Sequence, residues 1–518
     1  MKNSTIFLKS ALSLFFVLAV GLTSCDKSIE IHGNLADNTP TSPDANAGTW
    51  RMIVLPAANS IAVAPPASVT SDAYVAELAA VKDAQKQLTK EQKSIIKYWS
   101  AGGILRWNQL FRDLVAEYNL PPAPKADNTY PVPNAENPFG DPNFPFANPP
   151  YAARAYSYVS VAQYEALKAA WHYKSLYNRP APYQVDSSIE NLMPVTGVSA
   201  YPSEDAVMSG AAADMLKALF PAAVRKITLW AADQRNAALW SGRATASDIS
   251  AGLALGKAVV MQMLARAGTD GMGAAGGNKA MWDGLAANAE SRGETPWISQ
   301  DTPKRPPMLP AFGNVRAWNM SAAQITASRP AAPPPTASGE MATEVAEVLY
   351  YSQNMTRERL AIVHKWADGA GTYTPPGHWN DIAEEYIAEA KFSEVRAARA
   401  FALLNMAMHD AAVGCWNTKF FYFNPRPSQM NPGIKTLTGL PNFPAYTSGH
   451  STFSAAAATV LSYLFPQATA DFEAQATEAS LSRLYGAIHY RSDCEMGLAH
   501  GKVIGGFTVN SALTDGAN

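Results

Sequence analysis

Three short segments near the C-terminus, Lys419-x6-Arg426-Pro427, Ser448-Gly449-His450 and Ser482-Arg483-x5-His489-x3-Asp493, gather the side chains that a small tetrahedral oxyanion requires. Lys419, Arg426 and Arg483 are fixed cations that offset its charge, and an arginine grips two oxygens at once. Gly449 lets the backbone approach closely and offer an N–H, with the Ser448 hydroxyl beside it. His450 and His489 are neutral imidazoles that can bond to the central atom, as ligand or as nucleophile. Taken singly, each residue is ordinary. Lysine and arginine are mostly solvated, and a Ser-Gly pair is usually a turn or a cap. His450 could simply start a helix beneath the apolar run from Phe453 to Phe465, and His489 could be a satisfied core histidine. Three ordered blocks with long fixed gaps are much more specific than any one of them.

The three blocks resemble the signature of the type 2 phosphatidic-acid phosphatase and vanadium-dependent haloperoxidase superfamily. The pattern departs at Thr447, where the family usually has Pro before Ser448. A proline there shapes the backbone and donates nothing to an anion. The haloperoxidase side of the resemblance implies a vanadate cofactor, with hydrogen peroxide and halide as reactants and hypohalous acid as product. His489 would be the vanadium ligand. Lys419, Arg426 and Arg483 would balance the equatorial oxygens, with Ser448 and the Gly449 N–H. His450 would manage protons at the apical oxygen, and Lys419 would polarise the peroxide for halide attack. Asp493 would orient His489 through its other ring nitrogen.

The phosphatase side implies a phosphate ester as substrate and no vanadate. There His489 attacks phosphorus and His450 protonates the leaving oxygen, as an envelope acid phosphatase working through a phosphohistidine would. Trp416 and Phe443 resemble the halide-side positions of fungal vanadium chloroperoxidases, where algal bromoperoxidases are expected to carry polar residues. For both, ordinary core packing is the alternative. Asp368, in Trp366-Ala367-Asp368-Gly369, resembles a family aspartate that pairs with the second arginine. A non-catalytic envelope protein with a relic site is a third reading, and the intact set of blocks argues against it.

The elements that must position these residues follow from the rest of the chain. At 518 residues the chain exceeds one ordinary core, so two packed units are expected. A hydrophobic content of 47% with 16% charged residues points to large buried helical surfaces. A net charge of −2 with no basic stripe argues against nucleic acid as a partner. Residues 1–24 read as a lipoprotein signal peptide: Lys2 and Lys9, an apolar stretch from Ala11 to Leu22, then Leu22-Thr23-Ser24-Cys25. Cys25 would carry the lipid and anchor the protein to the bacterial cell envelope, facing the periplasm or cell surface. Residues 25–70 read as a tether. Lipid-directed members of the superfamily usually have several full membrane spans, and none is apparent in the mature chain. Cys415 and Cys494 could pair in an oxidising compartment or be two small buried residues. No metal-type Cys/His spacing occurs.

An internal repeat accounts for the length. Ala152-Ala153-Arg154-Ala155 recurs as Ala397-Ala398-Arg399-Ala400, Trp171 and Lys174 as Trp416 and Lys419, and Leu219-Phe220-Pro221 as Leu464-Phe465-Pro466, all at one offset of 245. The first copy lacks the chemistry, with Asp205 for His450, Ala238 for Arg483 and Ala244 for His489. Arg179 stands in for Arg426 with a two-residue slip. Residues 71–266 therefore read as a degenerate structural half, 267–339 as a Gly/Pro-rich connector and 340–518 as the catalytic half. Apolar spacing of three and four predicts helices over 72–98, 152–176, 203–220, 382–413 and 451–464. The fold expected is all-α, two pseudo-symmetric helical bundles, which is also what the haloperoxidase resemblance implies.

Overall fold

The computed structural model of the protein describes residues 35–119, 149–301 and 304–517. The leader and Cys25 lie outside the described residues. The described residues from Asp37 onward form one compact unit. Its regular elements are helical, with no strand among the described residues. A first run comprises α1 (Asp72–Lys86), α2 (Lys90–Trp99), α3 (Gly103–Tyr118), α4 (Pro149–Tyr177), α5 (Pro182–Val185), α6 (Glu204–Leu219), α7 (Val224–Trp240) and α8 (Ala246–Gly268). Then come α9 (Lys279–Ser291) and α10 (Ala322–Ala327). A second run comprises α11 (Gly339–Gln353), α12 (Arg357–Lys365), α13 (Thr374–Glu389), α14 (Glu394–Tyr422), α15 (Pro427–Met430), α16 (Gly449–Leu464), α17 (Thr469–Tyr485) and α18 (Arg491–Ala512).

The two runs repeat one another. The first residues of α4 to α8 are 149, 182, 204, 224 and 246, and those of α14 to α18 are 394, 427, 449, 469 and 491, each 245 later. Buried contacts recur with them. Arg154 pairs with Asp270 at 2.7 Å, and Arg399 with Asp515 at 2.7 Å. The Glu165 carboxylate accepts the backbone N–H groups of Ile53, Val54 and Leu55, while Asp410 accepts those of Trp318 and Asn319. The Ala-rich helices α4 and α14 lie against each other between the two runs. Their small side chains allow close approach, and a buried polar seam fixes the register. Asn405 donates to Ser160 at 2.9 Å, and Asn380 joins Asn405 to Asn108 of α3.

Several elements differ from the periodicity-based expectation. The run 72–98 is two helices, because the Thr89 hydroxyl accepts the Gln92 N–H and caps a new start. The run 382–413 is also two helices. Lys391 adopts a positive φ of 50° and the Ser393 hydroxyl caps α14. The apolar period runs through both breaks, and local capping decides against continuity. The described part of the tether, from Asp37 to residue 70, does not hang free. Trp50 and Leu55 are buried, and the hydroxyls of Tyr173 and Tyr177 donate to the carbonyls of Ile61 and Val63. The connector is likewise packed, with the Trp297 N–H on the Phe423 carbonyl at 2.9 Å. Helix α8, continuing to Ala274, is the one described helix long and apolar enough to cross a membrane by length and composition. Its Leu255, Val259 and Met263 are buried within the bundle.

Helix α18 presses on α16 so closely that a Cβ at Gly501 would sit on the Thr452 carbonyl oxygen, whereas Gly506 of the same helix has open space. Gly501→Ala is expected to destabilise by about 1–3 kcal/mol through overpacking. Gly506→Ala should be neutral or stabilise by up to about 1 kcal/mol through helix propensity. Denaturant unfolding of the two variants checks this, and equal stabilities would contradict the close contact.

Candidate functional site

Lys419 lies in the last turn of α14, fully buried, and its Nζ donates to the carbonyls of Pro444 and Ala445 at 2.9 and 2.8 Å. An ammonium has three donors, so one hydrogen is left over. Phe423, with φ 56°, ends α14 and turns the chain toward Arg426. Arg426 Nε donates to the Phe443 carbonyl, and Nη1 donates to the Ile488 carbonyl at 2.7 Å and faces His489 Nε2 at 3.0 Å. Its Nη2 is buried with no partner. Arg483, near the end of α17, donates from Nε to Ser482 Oγ and from Nη2 to the Trp366 carbonyl.

The loop before α16 supplies the backbone element. Ser448 caps α16 by accepting the Ser451 N–H, which leaves its hydroxyl hydrogen free to donate. Gly449 is the first residue of α16, so its N–H has no partner within the helix. A Cβ there would meet only the Phe453 and Trp416 rings, at 3.7 and 3.9 Å. Packing with protein neighbours therefore does not demand a glycine at that position. Thr447, the departure from the family pattern, is buried, with its hydroxyl shared between Cys415 Sγ and Thr452 Oγ1. Those contacts hold the loop in the absence of proline.

His489 follows a second positive-φ residue, Ala487 at 58°. Its Nδ1 lies 2.8 Å from Asp493 Oδ2, and the same oxygen accepts the Tyr490 N–H that opens α18. A carboxylate only accepts, so Nδ1 carries the hydrogen and Nε2 presents its lone pair. Burial, reinforced by Arg426 and Lys419, holds His489 well below the ordinary histidine range. Burial also pushes Lys419 down and Asp493 up. An anion among these groups would reverse the pressure on Lys419 by restoring a counter-charge.

His450 lies one residue into α16, with Nε2 3.5 Å from Asp368 Oδ2. Burial and the nearby Arg483 lower it to about 4. Asp368 has φ 46° and hydrogen-bonds to one histidine, with Oδ1 3.0 Å from Nδ1 of His378, while its Oδ2 faces His450 Nε2 and neither of those two atoms has a hydrogen-bond partner. Burial opposes its charge, yet the two histidines prevail and hold it far below the carboxylate range. Asp368 therefore meets His450 and His378, while Arg483 is turned to the Trp366 carbonyl; the sequence expectation of an arginine partner is corrected here. His378 has no place in any of the three blocks. The one signal was a histidine beside Trp379 in Gly377-His378-Trp379.

Trp416 and Phe443 meet with ring centroids 4.9 Å apart. Lys419 Nζ is 5.0 Å and Arg426 Cζ 5.0 Å from the Phe443 centroid. The Trp416 indole donates to the Met308 carbonyl. Cys415 and Cys494 are both buried free thiols, so the pairing alternative is set aside. Cys494 donates to the Ser480 carbonyl and Cys415 to that of Thr447.

The equivalent place in the first run is self-neutralised. Lys174 donates to the Ser199 carbonyl, Arg243 faces Asp205 at 3.7 Å, and Arg179 faces Asp248 at 3.5 Å. Glu204 occupies the position of Gly449, and the cavity that remains is about 20 Å³, little more than one water needs. The second site has no such inserted carboxylate. Its partnerless Arg426 Nη2, the neutral His489 and the bare Gly449 N–H form a donor set whose chemistry suits a tetrahedral oxyanion such as vanadate or phosphate.

Residues 399–516 match the family model of the PAP2 superfamily. A vanadium chloroperoxidase of Curvularia inaequalis is 33% identical over 122 residues, a match spanning 20% of that relative and 18% of this chain. Among solved structures, one titled as the first bacterial vanadium-dependent iodoperoxidase aligns with TM-score 0.54 and 22% identity over 70% of this chain and 91% of that one. An apo-type bacterial vanadium-dependent chloroperoxidase aligns with TM-score 0.50 and 12% identity, covering 70% and 93%. These structural likenesses establish the fold.

The depressed His450 carries a pH consequence. Its folded pKa of about 4 lies below the unfolded value of about 6.5. The unfolded chain binds the extra proton first, so this residue's contribution to stability falls as pH drops from about 6.5 to 4. Thermal unfolding of His450→Gln should lose less Tm than wild type over that window. Parallel curves would contradict the buried, neutral assignment.

Proposed function

We propose that this chain, whose residues 399–516 match the family model of the PAP2 superfamily, is a vanadate-dependent haloperoxidase that oxidises halide with hydrogen peroxide to hypohalous acid. The observation that carries the oxyanion reading is the buried, partnerless Arg426 Nη2 beside His489, whose Nε2 lone pair is fixed by Asp493 and meets only the Arg426 Nη1 donor. Vanadate, when bound, would supply the Lewis acidity that activates peroxide toward halide. His489 would hold it through Nε2. Lys419, Arg426 and Arg483 would offset its charge, and the Ser448 hydroxyl and Gly449 N–H would fix its orientation. His450, held by Asp368, would take and return the proton at the reacting oxygen. Each turnover consumes one proton along with peroxide and halide, and releases water and hypohalous acid. A neutral imidazole able to recharge suits that demand.

The Trp416–Phe443 wall beside Lys419 supports the peroxidase over the phosphatase. An apolar face keeps water from competing with a weakly nucleophilic halide and strengthens the pull of the ammonium. Phosphoryl transfer is the second reading, because the same cations and an oriented His489 Nε2 also suit attack on a phosphate ester. The relation of the two runs supports an internal duplication in which the first copy is structural. On the sequence of its leader, we place the protein in the bacterial cell envelope, lipid-anchored through Cys25.

A paired assay of the purified protein, halide oxidation with vanadate and peroxide against phosphate-ester hydrolysis without vanadate, separates the two readings. Halide oxidation dependent on vanadate is expected. Hydrolysis alone would favour the phosphatase, and neither activity would favour a relic site. In the active assay His489→Ala should abolish turnover, and His450→Ala should lower it by about 10²–10⁴-fold. Full activity in His489→Ala would overturn the assignment.

The two halves predict opposite effects for equivalent lysines. Lys419→Met should cripple turnover. Lys174→Met, in a variant whose circular dichroism matches wild type, should leave it nearly unchanged, since Lys174 has no histidine with which to share an anion. A comparable loss in Lys174→Met would show that the first half takes part in the chemistry.

For the halide face, Phe443→His would place a polar, titratable ring against Lys419. The bromide-to-chloride rate ratio, measured from mildly acidic to mildly basic pH, should rise and become pH-dependent. An unchanged ratio and profile would remove Phe443 from the halide side.

A further inference from the structure

We infer that His378 is a positioning residue for the reacting histidine, acting through Asp368. The three groups form a chain. His378 Nδ1 is 3.0 Å from Asp368 Oδ1, and Asp368 Oδ2 is 3.5 Å from His450 Nε2. The aspartate's side chain is 5% exposed, sits on a backbone of positive φ, and has no arginine or lysine within ion-pair reach among the described residues. Such strain persists only where surrounding contacts over-determine it. The contact that holds Oδ1 is His378. Without it, the carboxylate is free to rotate away from His450 Nε2, which has no other partner and which Oδ2 faces.

The placement of His378 is itself fixed. It lies in the first turns of α13, stacked on Trp366 with centroids 4.2 Å apart and an interplanar angle of 22°. The Trp366 indole is tied to Glu478 at 2.8 Å. The charged and titratable groups around the chain are Asp368 before α13, Tyr373 and His378 at its start, His450 from α16, and Arg483 and Glu478 from α17. Asp368 is the only carboxylate among them that faces both imidazoles. Trp366 also connects the two sides of the site, since its carbonyl takes the Arg483 Nη2 donor while its ring backs His378. One short segment, 366–368, thus sets both a cation and the proton-transfer histidine.

This inference concerns His450 under either chemistry of the Proposed function, and its test has a readout that needs no turnover. Two variants separate the hydrogen bond from the stack. His378→Phe keeps a flat ring against Trp366 and removes the donor. His378→Asn loses the stack and retains an N–H at the Nδ1 position. Ring ¹⁵N shifts of His450, recorded without vanadate, should report one tautomer with Nε2 protonated in wild type and in His378→Asn, and a mixture in His378→Phe. In whichever turnover reaction the protein performs, kcat should fall about 10–100-fold in His378→Phe, with KM little changed, and recover to within a few-fold in His378→Asn. The acid limb of the pH profile should move with the tautomer in the Phe variant alone. A His378→Phe protein with wild-type His450 shifts and wild-type kcat overturns the inference. So does an Asn variant as impaired as the Phe variant, since that pattern belongs to the ring stack.

Discussion

Buried positive charge without an internal counter-charge is the constraint on which the second half is built. Lys419, Arg426 and Arg483 are all within 1% of complete burial. Removing such groups from water costs several kcal/mol each unless something negative sits among them. Backbone carbonyls take part of that load: those of Pro444 and Ala445 for Lys419, of Phe443 and Ile488 for Arg426, and of Trp366 for Arg483. They do not satisfy it, and Arg426 Nη2 has no partner. Among the described residues the nearby carboxylates, Asp493 and Asp368, each bond to a histidine through one oxygen. On the oxyanion reading, a bound anion would supply the remaining negative charge.

The first half is the internal control. It keeps Lys174 and Ser203 at the equivalent places yet brings in Glu204, Asp205 and Arg243, with Arg179 turned to Asp248. Charge is balanced within the protein, the cavity is small, and neither histidine is present. The same helices, starting at the same spacing, support a charge-starved site in one half and a self-sufficient polar cluster in the other. The scaffold sets positions; a few substitutions at the start of α6 and after α7 decide whether an external anion is called for.

Much of this was legible in the sequence because the decisive residues sit at helix ends. Lys419 closes α14, Ser448 and Gly449 open α16, Arg483 closes α17, and His489 and Asp493 flank the start of α18. A helix end fixes its neighbours' geometry within a few residues, so sequence spacing translates into spatial spacing. The equal offsets of the two runs were readable for the same reason. What escaped reading depended on tertiary contacts. His378 comes from a separate segment and reaches the site only through Asp368. The break at Ser393 hid within a continuous apolar period. The segment after Asp37 has the composition of a tether, but tyrosine hydroxyls from α4 pin its carbonyls.

The central claim is that the second half, and only the second half, holds one oxyanion against His489. Equilibrium binding of vanadate to the purified chain, with inorganic phosphate as competitor, tests it most directly. The account predicts saturation at one vanadate per chain and displacement by phosphate. No saturable binding, or two equivalent sites per chain, would contradict it.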